Sequence, residues 1–227
     1  MLLPAALLLS ALFSLPYGLW LTHRPPGLAR SVVKTLPVAL LAAAALVILG
    51  PGYLVAALAL GAAGDWFLSR PGERAFLAGL ASFALGHLAL VALYWPATFV
   101  PTLWAALPLG LALVMTPVLL PRAGALRAPV LAYIAIIALM GLAVLQPENG
   151  ALAWRGALLF MVSDALLGIS LFVLGDGDAR GRILAPVVWF TYWGAQALFL
   201  LDQVRGAQAG LLLDRLAVGP ITGPWLG

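Results

Sequence analysis

A chain of 227 residues that is 64% hydrophobic and only 9% charged falls far below the roughly one-quarter charged composition of a soluble domain. It reads as an integral membrane protein, with no length left for a soluble domain once spans of about 20 residues are counted. The absence of cysteine excludes disulfides and thiolate metal sites, and with only His23 and His87 a multi-histidine zinc centre is excluded as well, so neither metal nor other cofactor is expected. The net charge of +4 is scattered over single arginines beside apolar runs, without the basic face that binds nucleic acid, and is read as membrane topology.

Turn signals divide the chain into eight apolar segments, roughly 2–22, 30–50, 52–69, 74–95, 99–120, 127–145, 151–174 and 183–203, each about as long as a spanning helix. The breaks between them, among them "HRPPG", "RPGE", "QPENG" and "GDGDARGR", are Pro/Gly turns that end helices. The expected fold is therefore all-α, a single domain over residues 1–227 built as a bundle of eight transmembrane helices. The first segment lacks a basic start and a small-residue cleavage site and reads as a retained helix. Lys34 opens the second segment near its end, where it either snorkels or anchors an anionic head group.

The third segment carries Asp65, five residues before Arg70 and hence ~7–8 Å of helix from its end. The fourth holds His87 near its middle, as a packing residue or a functional one. In the seventh, Asp164 stands twelve residues before Asp176, or ~18 Å of helix. An ionised carboxylate at that depth costs at least ~2.5–3.5 kcal/mol unless it faces a polar cavity. Small residues flank both acids, Ala57, Gly61 and Gly64 on one side and Ser163 and Gly168 on the other, clearing space for close helix approach or for a cavity. On the eighth segment Tyr192 and Gln196 share a face at i, i+4 and read as hydrogen-bonding wall residues or as interhelical glue. Asp176 and Asp178 read as a solvated turn.

The connections after helices 1, 3, 5 and 7 hold Arg24, Arg30, Arg70, Arg74, Arg122, Arg127, Arg180 and Arg182, whereas the other side has Arg155, Arg205 and Arg215. The positive-inside rule then makes the odd connections cytoplasmic and leaves both termini outside. Trp95, Trp104, Trp154 and Trp225 are expected in the interfacial belt. An internal echo links "ALGAAGDWFL" (59–68) with "LLFMVSDALL" (158–167), as a parallel four-plus-four duplication would.

Several of these residues together carry a resemblance. "KTLP" (34–37), "GDWFL" (64–68), "FALGH" (83–87), the Tyr133-to-Met140 spacing of "YIAIIALM", "GALLFMVSD" (156–164) and "TYWGAQALF" (191–199) occur in the order found in the lysoplasmalogenase family, the YhhN-like integral membrane hydrolases, which the chain resembles from its second to its eighth helix. One departure is Leu90, where the family pattern often has a tyrosine three residues after the histidine; the nearest tyrosine is Tyr94. The resemblance implies an eight-helix enzyme that cleaves the vinyl ether of lysoplasmalogens to a fatty aldehyde and a glycerophospho-base. Such a reaction needs an acid to protonate carbon and a carboxylate to stabilise the oxocarbenium ion or activate water. Asp65 and Asp164 are the expected catalytic pair. Lys34, His87, Tyr133, Ser163, Tyr192 and Gln196 are the expected substrate-binding residues, and a lysophospholipid and membrane lipids the expected partners. The arginine-to-lysine ratio of 11 to 1 points to a GC-rich bacterial genome and so to an inner membrane. The alternative is a small proton-coupled transporter or channel, since intramembrane Asp and His also build proton relays; a third reading is an assembly protein whose polar residues only fasten helices.

Overall fold

The computed structural model describes residues 2–50, 52–175 and 178–217, with side chains as far as 211. Eight α-helices follow one another: α1 (Leu2–Leu19), α2 (Leu28–Leu49), α3 (Tyr53–Leu68), α4 (Glu73–Tyr94), α5 (Ala106–Leu119), α6 (Arg127–Val144), α7 (Ala151–Ile169) and α8 (Ala179–Ala217). Seven of the helical segments are long and apolar enough to cross a membrane, and α3, at 16 residues, is the short one. Sixteen residues rise only ~24 Å, less than the ~30 Å hydrocarbon core. Asp65 is therefore within one turn of the end of its helix. Leucines such as Leu8, Leu113 and Leu131 face outward, as they must in a bundle whose solvent is lipid.

Helices α1 to α4 pack in sequence, α7 pairs with α8, α8 closes against α1 and α2, and α4 meets α6, which carries α5. Small residues set the closest approaches. A Cβ on Gly86 would lie 3.2 Å from the Ala57 carbonyl of α3, and one on Gly156 would lie 3.3 Å from the Ala195 carbonyl of α8. Serines on α1 meet tryptophans on α8 with the same four-residue step: Trp193 Nε1 donates to Ser10 Oγ at 2.8 Å and Trp189 Nε1 to Ser14 Oγ at 3.0 Å. Between these contacts the core is filled by Leu41, Leu58, Leu90, Met140 and Phe199, all fully buried.

Two boundaries differ from expectation, and α7 changes its winding inside the expected span of 151–174. Segment 99–120 becomes helical only after Thr102, whose backbone is extended: Val100 N–H donates to Gln146 Oε1 at 2.9 Å and a 3₁₀ turn over Leu103–Ala105 precedes α5. Helix α7 widens into a π-turn at Ser170–Leu174. Helix α8 does not stop at residue 203 but runs through the polar "DQVRG" stretch to Ala217, since the Ala, Leu and Gln that follow are good helix formers and no proline intervenes. Trp95 and Trp104 are exposed, and Trp104 lies 5.5 Å centroid to centroid from Trp154. In the loop before α8, Asp178 pairs with Arg180 at 2.8 Å, which holds its carboxyl below the usual range, as suits a solvated turn. Asp176, the Arg215 side chain and Trp225 lie outside the described residues.

Candidate active site

Helix α3 ends soon after Asp65, and this leaves the carboxylate among three helices, 1% exposed. Lys34 on α2 brings its Nζ to 3.4 Å from Oδ1, and Tyr192 on α8 donates its hydroxyl to Oδ2 at 2.9 Å. Both oxygens are thus engaged, one by the Lys34 ammonium. One turn beyond Tyr192, Gln196 packs where α3 has no side chain: a Cβ on Gly61 would lie 2.6 Å from Gln196 Nε2 and 3.1 Å from the Tyr192 hydroxyl.

Asp164 on α7 has a different setting. Tyr133 on α6 donates to Oδ2 at 3.2 Å, and His87 Nε2 on α4 stands 3.3 Å from the same oxygen. His87 Nδ1 lies 2.7 Å from the Phe83 carbonyl. A carbonyl only accepts, so Nδ1 carries a hydrogen and Nε2 is the nitrogen that can give or take a proton. Nε2 has no aligned hydrogen bond; its neighbour is the Asp164 carboxyl. Oδ1 of Asp164 takes no hydrogen bond from the described residues and is not sealed off.

Both aspartates line one cavity of about 240 Å³, together with Arg30, Lys34, Ser163 and Tyr192. Asp164 also lines a second, apolar cavity of about 70 Å³ formed by α4 to α7, with Leu111, Met115, Tyr133 and Met161 in its wall. Leu68, Phe76, Phe83 and Leu167 line both, so the polar and apolar chambers adjoin and Asp164 stands at their seam. Aromatic rings separate the two carboxylate clusters: Phe160 is 4.4 Å from the His87 ring and 5.5 Å from that of Tyr192, and Phe83 is 5.5 Å from Tyr192.

Of the residues singled out in the sequence, Asp65, Asp164, Lys34, Ser163 and Tyr192 meet at the polar cavity, whereas Tyr133 lines only the apolar one and bonds Asp164 from there. His87 and Gln196 stand behind this wall, 1% and 2% exposed. Ser163 donates its hydroxyl to the Val188 carbonyl at 2.9 Å and so also ties α7 to α8. Sequence reasoning missed Arg30 as a cavity residue. The signal was its position four residues before Lys34, which puts both cations on one face of α2.

Residues 29–202 match the YhhN family. The chain belongs to that family. Among curated proteins this YhhN-family chain is 30% identical over 215 residues to the lysoplasmalogenase of Mycobacterium tuberculosis, covering 81% of its own length and 78% of the relative's. It is 29% identical over 220 residues to the lysoplasmalogenase TMEM86A of Bos taurus, covering 85% of each. No solved structure gives a significant match.

Proposed function

We propose that this YhhN-family protein is a lysoplasmalogenase, hydrolysing the vinyl ether of 1-alkenyl lysophospholipids by two-carboxylate chemistry. The observation that supports it most is the shared cavity: two carboxylates with different partners face one chamber where a polar compartment meets an apolar one. An amphiphile with its reactive bond between head and tail fits that junction. The names of the mycobacterial and bovine relatives point to the same substrate.

Asp164 is the acid in this scheme, because it lines the cavity with Oδ1 left without a hydrogen bond from the described residues, while His87 Nε2 stands beside Oδ2 as a relay for protons. It protonates the β-carbon of the vinyl ether, leaving an oxocarbenium ion. Asp65, paired with Lys34, stabilises that cation as a fixed anion and takes a proton from the attacking water. The hemiacetal then expels the glycerol oxygen, which takes up that proton, and the hydroxyl proton released as the aldehyde carbonyl forms returns through His87 Nε2 to Asp164. One water is consumed, and both carboxyl groups end as they began. Tyr133 and Tyr192 hold the two carboxyl groups in place by their hydroxyl bonds, with Gln196 packed beside Tyr192, and Ser163 lines the chamber. By the positive-inside rule the arginine-bearing end is cytoplasmic, so the lipid enters from that leaflet and both termini lie outside, in a bacterial inner membrane.

Asp202 on α8 does not extend a proton path: it caps α7, accepting from Ala153 N–H at 3.2 Å and from the Tyr94 hydroxyl at 2.9 Å. This favours a hydrolase over a proton-coupled transporter. The test is aldehyde release from a 1-alkenyl lysophospholipid by purified protein in nanodiscs. Release that is lost when both aspartates become asparagine is expected; no release by the wild type overturns the reading.

A further inference from the structure

We infer that Arg30 is the residue that holds the phosphate of the lipid ligand, while Lys34 is reserved for Asp65; the inference rests on the lysophospholipid reading above. Arg30 and Lys34 lie one turn apart on α2 and both line the polar cavity. The Lys34 ammonium already has its anion, Asp65 at 3.4 Å. Arg30 is in no ion pair among the described residues, so it is the uncompensated cation of the chamber.

Its placement also suits an anion. Nε donates to the Leu21 carbonyl at 2.8 Å, and the guanidinium carbon lies 5.8 Å from the centroid of the Tyr17 ring. The group is therefore held by its inner nitrogen and by one face. The two terminal nitrogens make no hydrogen bond to the described residues, and they form the edge of the planar fork that binds phosphate oxygens in pairs. Within the chamber that edge has no anion opposite it among the described residues. A phosphodiester at that edge removes the imbalance.

The geometry along α2 agrees with a lysophospholipid. Arg30 is ~6 Å of helix nearer the arginine-bearing end than Lys34, and Lys34 marks the level of Asp65. A head-group phosphate at Arg30 thus puts the first glycerol carbon and its ether beside the aspartates, and the chain then continues past Asp164 into the apolar cavity. Thr22, which also lines the chamber, has its hydroxyl hydrogen committed to the Gly18 carbonyl at 3.1 Å and does not compete as a donor.

The test is equilibrium binding to the full chain in nanodiscs, with two uncleavable ligands: a 1-O-alkyl lysophosphatidylcholine and the matching 1-O-alkylglycerol, which lacks the phosphate. The wild type is expected to favour the phospholipid. Arg30→Gln should weaken phospholipid binding by about tenfold or more, the scale of a charge-assisted hydrogen bond, and leave alkylglycerol binding unchanged. Arg30→Lys, which keeps the charge without the fork, should fall between and decides the matter if the glutamine variant does not fold. Equal losses for both ligands would make Arg30 a fastener of the Leu21 turn and overturn the inference. So would wild-type phospholipid affinity in either folded variant. Inorganic phosphate is the third arm: displacement of the lysophospholipid by millimolar phosphate would assign the site to the free ion. Because binding is read without turnover, a wild type that binds as expected but releases no aldehyde would sink the proposed reaction and leave the phosphate site standing.

Discussion

The two aspartates occupy corresponding places on α3 and α7 and differ in what surrounds them. Asp65 is gripped on both oxygens, by Lys34 from the neighbouring α2 and by Tyr192 from α8. Asp164 is held on one oxygen only, by Tyr133 from the neighbouring α6 and by His87 from α4. Exchanging α1–α4 with α5–α8 maps one set of helices onto the other, which is the arrangement a parallel duplication would produce. The residues filling those places differ. An ammonium and a phenol hydroxyl engage one carboxylate on both oxygens, while a phenol hydroxyl and an imidazole crowd a single oxygen of the other. The contrast teaches that two carboxylates in similar places along the fold can be given different settings by the partners that neighbouring helices bring to them.

The most direct way to break this contrast is to remove each carboxyl in turn. Asn is nearly isosteric with Asp, so Asp164→Asn and Asp65→Asn should fold, yet each is expected to lower kcat for aldehyde release by at least ~10²-fold. Because the two act on one reacting centre, the double variant should fall little below the worse single one. Near-normal turnover in either single variant would return that aspartate to helix packing.

The next effect concerns the imidazole. His87→Gln keeps bulk and a hydrogen-bonding end but cannot return a proton to Asp164, so kcat should drop by about tenfold or more, one step of ~1.4 kcal/mol, with KM little changed. A pH–rate profile distinguishes this from a packing defect. The variant should lose or move one limb of the profile, which belongs to the coupled His87–Asp164 pair and not to either group alone. A uniform loss at all pH values would leave His87 as a purely structural neighbour.

Lys34 sharpens the comparison from the other side. If it acts through Asp65, Lys34→Met should lower kcat, and adding it to Asp65→Asn should cost nothing further. A double-mutant cycle measures that coupling. Independent, additive losses, or a change confined to KM, would instead make Lys34 a direct ligand of the substrate.

The two acids were legible in the sequence because a carboxylate inside an apolar run is conspicuous, and Lys34, His87 and Tyr192 were legible for the same reason. Their pairing was not. Periodicity tells which residues share a face of one helix but not which helix lies opposite, so nothing in "FALGH" or "MVSD" said that His87 would meet Asp164 and leave Asp65 to Lys34. Arg30 was read as a topology charge, because an arginine at a helix end is usually in water; only the turn at Leu21 and the Tyr17 ring draw it toward the chamber. The continuation of α8 was hidden as well, since "DQVRG" reads as an end until its aspartate is seen bonding to another helix.

That aspartate supplies the smallest and most discriminating effect. Asp202 is a third carboxylate within the bundle, but its partners are a backbone amide of the first turn of α7, the Tyr94 hydroxyl and, at 3.4 Å, Gln203 Nε2. It satisfies one of the amides that a helix start leaves open, from a neighbouring helix because Gly150 at the N-cap position has no side chain to do so. Asp202→Ala should therefore cost about 1 kcal/mol, seen as a fall of roughly 2–4 °C in Tm for a chain of this size. The kcat and KM of the folded protein should stay unchanged. Asp202→Asn, which still offers an oxygen to Ala153, should recover most of the lost stability. A large loss of turnover in the asparagine variant, with Tm preserved, would show that the charge of Asp202 takes part in proton movement, and the division between two reactive carboxylates and one structural one would fail.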